Sequence, residues 1–76
     1  MDKFKEAIAD YTTIINIEEK NTKCLFERAS LYDKIGNIDS AIADLTKVVT
    51  YEPVNANAYM KRGNLYEKNQ KNTRQR

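Results

Sequence analysis

The 76-residue sequence contains no histidine and no tryptophan, and it has one cysteine, Cys24. Without histidine, the chain lacks the commonest general base and the commonest protein ligand of transition metals. A single cysteine excludes an internal disulfide and a cysteine metal cluster. We therefore expect a protein that is not an enzyme and that needs no cofactor and no metal ion.

Signals for phosphate chemistry and for membranes are also missing. The sequence has no Gly-rich phosphate loop and no serine-centred nucleophile motif. No apolar run approaches the roughly 20 residues that cross a bilayer, and charged residues interrupt the first residues, where a signal peptide would be apolar. A lone thiol without these signals favours a reducing compartment. The sequence thus predicts a cytoplasmic protein with no membrane contact.

The charge is nearly balanced, with 13 Lys and Arg against 11 Asp and Glu. Much of the basic excess lies at the end of the chain, at Lys68, Lys71, Arg74 and Arg76. Because this end has no apolar face to bury, we predict that residues 69–76 form a basic, disordered tail. Contact of the tail with an acidic partner or with nucleic acid is the alternative.

Apolar residues recur every three or four positions, which is the period of a helix. This period predicts four helices, at about residues 3–17, 22–35, 38–51 and 55–68. Gly36 can take the left-handed conformation that ends a helix, and Pro53 disfavours helical angles at the residue before it. The short turns between the helices predict an antiparallel stack that forms one all-α domain, residues 1–76.

The sequence repeats itself at an offset of 34 residues. Residues 7–10 (Ala-Ile-Ala-Asp) align with the identical residues 41–44, and Arg28 aligns with Arg62 in the same register. One offset therefore aligns the first helix with the third and the second with the fourth. A fixed period of this size is typical of a helical solenoid.

At these positions the chain resembles the tetratricopeptide repeat family, whose units are 34 residues long. The one complete unit, about residues 22–55, has these residues at the family's signature positions: Leu25, Arg28, Ala29, Tyr32, Ala41, Leu45, Val48 and Pro53. The family usually has leucine where Arg28 stands and alanine where Val48 stands. The resemblance implies antiparallel helical hairpins stacked as a short right-handed solenoid, with half a repeat, one full repeat and another half.

Neither end of this stack has the polar capping helix that solenoids normally need. We therefore expect the chain to be a fragment of a longer array, or to associate through its ends as a homo-oligomer or with another protein. The apolar residues expected to be partly exposed without such a neighbour are Phe4, Ile15, Tyr59 and Leu65.

The resemblance also implies a function, since the first helix of each tetratricopeptide unit lines a groove that receives a peptide or helix of a partner protein. The corresponding residues are Lys23, Phe26, Ser30 and Asp33 on the second helix and Asn57, Met60, Lys61, Asn64 and Glu67 on the fourth. Phe26 and Met60 would hold an apolar side chain, and the asparagines would bond a peptide backbone. An ordinary exposed helix face is the alternative.

Three other functions are weighed against this scaffold or adaptor role. A clamp for a C-terminal carboxylate is disfavoured, because Phe26 and Ser30 stand where such arrays have lysine and asparagine. RNA-binding helical repeats have units of 35 residues, and the mixed charge of the stack disfavours nucleic acid. A structural joint within a larger assembly remains open. We also expect Asp39 and Asp44 to lie on solvated faces rather than form an acid/base pair.

Overall fold

A computed structural model describes residues 3–74 of the chain. This part forms four helices: α1 (Lys3–Ile17), α2 (Thr22–Lys34), α3 (Ile38–Tyr51) and α4 (Ala56–Arg74). The described residues contain no strand, and each helix packs against the next along the chain. The predicted all-α class with four helices is confirmed.

The turns that precede α2 and α4 are two copies of one arrangement. The side chain of Asn21 accepts a hydrogen bond from the backbone N–H of Cys24 at 3.0 Å, which caps α2. The amide of Asn21 also donates to Glu18 at 2.8 Å. Residues 52–58 repeat both contacts with the same lengths, and Asn55 is the cap there. The cap bonds satisfy backbone donors that a helix start leaves unpaired, so both helices begin at fixed points.

The turn between α2 and α3 depends on Gly36, whose φ of +86° lies in the left-handed region. The N–H of Gly36 donates to the carbonyl of Asp33, and the N–H of Asn37 donates to that of Tyr32 at 2.8 Å. This pair of bonds is the Schellman arrangement that closes a helix end. The Asn37 side chain then caps α3 by accepting from the N–H of Ser40. The chain therefore reverses direction within three residues.

The fourth helix is longer than predicted. Its predicted end is near residue 68, but α4 continues to Arg74. This segment has no glycine or proline that would end a helix. Lys68 and Asn69 also donate hydrogen bonds to carboxylates on α2 and α3. The helix is therefore longer than its predicted range. The disordered tail predicted at residues 69–76 stays a prediction, and the last two residues lie outside the described part of the chain.

The core contains apolar side chains from all four helices, and α3 contributes half of the buried ones. Its largest fully buried members are Leu25, Leu45, Val48 and Leu65. The expectation that Ile15 and Leu65 are partly exposed is wrong, because both are buried between neighbouring helices. The expectation for Phe4 and Tyr59 is confirmed, since both are exposed.

The expectation that Asp44 lies on a solvated face is also wrong, because this residue is only 3% exposed. Arg28 neutralises it with two hydrogen bonds, from Nε and Nη2, at 2.8 and 2.7 Å. The remaining Nη1 of Arg28 donates to the hydroxyl of Thr12 at 2.9 Å. Arg28, which stands where the family usually has leucine, is therefore paired with a buried carboxylate. Its hydrogen bonds connect α1, α2 and α3.

Candidate partner-binding face

The candidate site lies on α2 and α4, the first helices of successive repeat units. Asp33 of α2 joins them, because its carboxylate lies 2.8 Å from the Lys68 ammonium and 3.5 Å from that of Lys61. The hydrogen bond from Lys68 is the main cause that lowers the pKa of Asp33, and the positive charge of both lysines lowers it further. This ion cluster, Asp33–Lys61–Lys68, holds the two helices side by side.

A cleft opens on the same face, near the N-terminal ends of α2 and α4. Its volume is about 370 Å³, and it is open to solvent. The residues that line it are Thr22, Lys23, Phe26, Glu27, Glu52, Asn55 and Asn57. The half-buried ring of Phe26 packs against the core and supplies the apolar wall. The other lining residues supply two carboxylates, one ammonium, two amides and one hydroxyl.

A hydrogen bond from the hydroxyl of Thr22 to the carboxylate of Glu52 holds the walls of the cleft together. Glu52 also accepts from the amide of Asn55 at 2.8 Å. These two bonds, with that from Thr22 the larger cause, lower the pKa of Glu52 below its usual range. Glu52 therefore carries a negative charge at neutral pH and connects the start of α2 to the turn that precedes α4.

The structure brings three of the nine predicted site residues into the cleft, namely Lys23, Phe26 and Asn57. Asp33 and Lys61 lie in the ion cluster on the same pair of helices. An ion pair already occupies both side chains, so they act first in positioning α4 against α2.

The other four predicted residues are not among the residues that line the cleft: Ser30, Met60, Asn64 and Glu67. Ser30 is half-buried, and the three residues of α4 are exposed. The cleft therefore includes only part of the predicted set, around the ring of Phe26, and Met60 lies outside its lining.

Sequence reasoning missed four lining residues, Thr22, Glu27, Glu52 and Asn55, and it also missed the partner of Asp33, Lys68. A signal for part of this set exists, because Glu52 and Asn55 repeat Glu18 and Asn21 at the offset of 34. The Thr22–Glu52 bond has no such signal, since it joins residues 30 apart that only the packing of the helices brings together.

Neither a metal site nor a membrane span is found in the part of the chain that the structure describes. No group of three or more histidine, cysteine or carboxylate side chains lies close enough there to hold a metal ion. None of the described helices combines the length and the apolar character needed to cross a bilayer.

A family model of the tetratricopeptide repeat matches residues 22–55 of the chain. No curated protein matches the chain significantly, and no solved structure does so. The matched range contains every lining residue of the cleft except Asn57. The cleft therefore lies where one complete repeat unit meets the first helix of the next.

Proposed function

We propose that this chain, which contains a tetratricopeptide repeat at residues 22–55, binds a peptide segment of a partner protein in the cleft between α2 and α4. Tetratricopeptide repeats mediate protein–protein interaction. The cleft beside Phe26 carries the proposal, because it combines an apolar wall with exposed hydrogen-bonding groups, the chemistry by which grooves hold peptides. In this role the chain is a cytoplasmic scaffold or adaptor rather than an enzyme.

The charges around the cleft favour a particular kind of peptide. Glu27 and Glu52 contribute two negative charges and Lys23 contributes one positive charge, so the lining has a net negative charge. A peptide with an apolar side chain for the ring of Phe26 and a neighbouring lysine or arginine would satisfy both features. The side chain of Asn57 is exposed and can donate to or accept from the peptide backbone.

The remaining predicted groove residues extend this proposal along α4. Asn64, Met60 and Glu67 are exposed on the helix that forms one side of the cleft, so a longer peptide or a helix could contact them after filling the cleft. These contacts lie at the edge, where water competes, and we expect each to contribute less than the contacts with Phe26.

The proposal is tested by measuring the binding of a peptide library to the wild-type chain and to Glu27→Lys. The reversed charge should weaken binding of basic–apolar peptides by about tenfold, the ratio that corresponds to roughly 1.4 kcal/mol. Glu19→Lys is the matched control, because Glu19 is exposed in the turn before α2 and does not line the cleft. This control should bind as the wild type does.

Two results would count against this function. Equal weakening by Glu27→Lys and Glu19→Lys would show a long-range effect of net charge and no contact in the cleft. Binding of single-stranded RNA with a steep decrease as salt is added would favour nucleic acid as the ligand.

A further inference from the structure

The 34-residue repeat extends to individual polar contacts between helices. Nη1 of Arg28 donates to the hydroxyl of Thr12 at 2.9 Å, and Nη1 of Arg62 donates to that of Thr46 at 3.1 Å. Both threonines donate in turn to the carbonyl four residues earlier. Arg62 on α4 is therefore held in the way that Arg28 is held on α2.

In the described part of the chain, Arg28 has a carboxylate partner and Arg62 has none. The partner of Arg28 is Asp44 on α3. Among the residues that the structure describes, Arg62 contacts Thr46 and the rings of two tyrosines but no carboxylate. Its Nε and Nη2 therefore have no hydrogen-bond acceptor among the described residues.

The matching carboxylate is present at the opposite end of the stack. Asp10 of α1 has the repeat position of Asp44 and the same three preceding residues, Ala-Ile-Ala. Asp44 is buried against Arg28, whereas Asp10 is exposed and has no cation beside it among the described residues. One end of the stack thus presents an arginine without its carboxylate, and the other presents a carboxylate without its arginine.

Apolar residues near Arg62 and near Asp10 are likewise exposed, whereas their repeat counterparts are buried. On α4, Tyr59 is 44% exposed, whereas its repeat counterpart on α2, Leu25, is fully buried. On α1, Ile14 is 37% exposed, whereas its counterpart on α3, Val48, is fully buried. Within the chain, α3 covers the face of α2 that corresponds to the open face of α4.

The open face of α4 also has room for another helix to pack closely against it. Gly63 of α4 corresponds to Ala29 of α2, which is fully buried under α3. A Cβ at Gly63 would meet nothing within 4 Å. The small residue that lets two helix backbones approach is therefore present on α4, and the space over it is empty.

We propose that these two faces bind each other in separate copies of the chain. Helix α1 of one copy lies against α4 of the next, as α3 lies against α2 within the chain, and Asp10 accepts the guanidinium of Arg62. A second copy fits this position because α1 presents the charge and the apolar side chains that α3 presents to α2. Such a contact joins unlike faces, so it continues from copy to copy and does not stop at a dimer.

Charge reversal at the two positions tests this contact through sedimentation velocity over a wide range of concentration. The average mass of the wild type should rise continuously with concentration. Asp10→Arg and Arg62→Asp should each remain monomeric, because each places two like charges in the contact. An equimolar mixture of the two variants should associate again, since every α4 then meets an α1 of opposite charge.

Two control variants separate this contact from effects of net charge. Glu19→Arg and Lys47→Asp make the same changes of charge at exposed positions outside both faces, and they should associate as the wild type does. A wild type that stays monomeric, or a mixture that does not associate, would overturn the proposal. So would association of either single variant to the wild-type extent.

Two substitutions at Gly63 test the same contact by side-chain size, without a change of charge. Gly63→Ala reproduces the alanine of α2 and should keep association. Gly63→Met should fold normally, because its side chain enters empty space in the monomer, but it should prevent the close approach of α1. Unchanged association of Gly63→Met would show that the helices do not meet in this register. Neither face includes the residues that line the cleft, so the two proposals can fail separately.

Discussion

Arg28 of α2 donates two hydrogen bonds to the carboxylate of Asp44 on α3, at 2.8 and 2.7 Å. Both side chains are largely removed from water, with exposures of 12% and 4%. Burial of two charges is costly, and close bidentate geometry offsets that cost without a large surplus. The pair therefore specifies how α2 and α3 fit together more than it adds to the free energy of unfolding.

Loss of the carboxylate should have a large effect because it leaves the arginine buried without a counter-charge. We expect Asp44→Ala to lower the free energy of unfolding by about 3–5 kcal/mol. A domain of this size has a total of about the same amount, so the variant should be mostly unfolded. Urea unfolding followed by circular dichroism measures the difference.

The repeat supplies the control for this variant. Asp10→Ala makes the same change after the same three residues, but at an exposed position. In dilute solution, where copies are separate, it should change the free energy of unfolding by less than about 0.5 kcal/mol. Similar losses for the two variants would contradict a special role for the buried pair.

Gly36 should resist substitution because its φ of +86° disfavours any residue with a Cβ. We expect Gly36→Ala to lower the free energy of unfolding by about 1–2 kcal/mol. Gly36→Asn should cost less, since asparagine tolerates this conformation better than alanine does. If thermal unfolding showed the same loss for both variants, the backbone conformation would not be the cause.

Gly63 should respond in the opposite direction. It lies inside α4, and a Cβ there meets no other atom within 4 Å. Gly63→Ala should therefore raise the free energy of unfolding by about 0.5–1 kcal/mol, because alanine favours the helix more than glycine does. A loss of stability in urea unfolding of dilute protein would show that this position is crowded.

The ion cluster at Asp33 predicts a pH dependence. Its lysines lower the pKa of Asp33 in the folded state, so the ionised carboxylate stabilises the fold. This contribution is complete above the usual pKa of about 3.8 and is lost as the pH falls through the lower folded value. Exposed and half-exposed ion pairs of this kind contribute up to about 1 kcal/mol.

Asp33→Asn should remove the loss of stability at low pH that comes from protonation of Asp33. The midpoint of urea unfolding, measured from about pH 6 to about pH 2, should fall less steeply for this variant than for the wild type. Glu19→Gln removes an exposed carboxylate that has no cation beside it among the described residues, and it should leave the slope unchanged. Parallel curves for the wild type and Asp33→Asn would contradict the prediction.

Local features could be predicted because neighbouring residues cause them. The spacing of apolar residues and the breaks at Gly36 and Pro53 were enough to predict four helices and their order. The offset of 34 residues was enough to align the first helix with the third and the second with the fourth, and the structure adds that Asn21 and Asn55 cap their helices in the same way. The repeat family followed from the same pattern and is supported by the match at residues 22–55.

Contacts between distant residues could not be predicted in this way. Arg28 is a departure from the family pattern in the sequence, and nothing near it indicates that Asp44 is its partner. The lining of the cleft depends on Thr22 meeting Glu52, and the end of α4 depends on Lys68 and Asn69 reaching carboxylates on other helices. In each case the cause is a side chain more than ten positions away.

The sequence by itself determined the helices, the turns and the repeat, since hydrophobic period, caps and a left-handed glycine act within one or two helical turns. Tertiary structure alone decided which charges are buried and where the cleft opens. Those outcomes depend on how whole helices pack. Burial changes the free energy of a charge by several kcal/mol without any change in the neighbouring sequence.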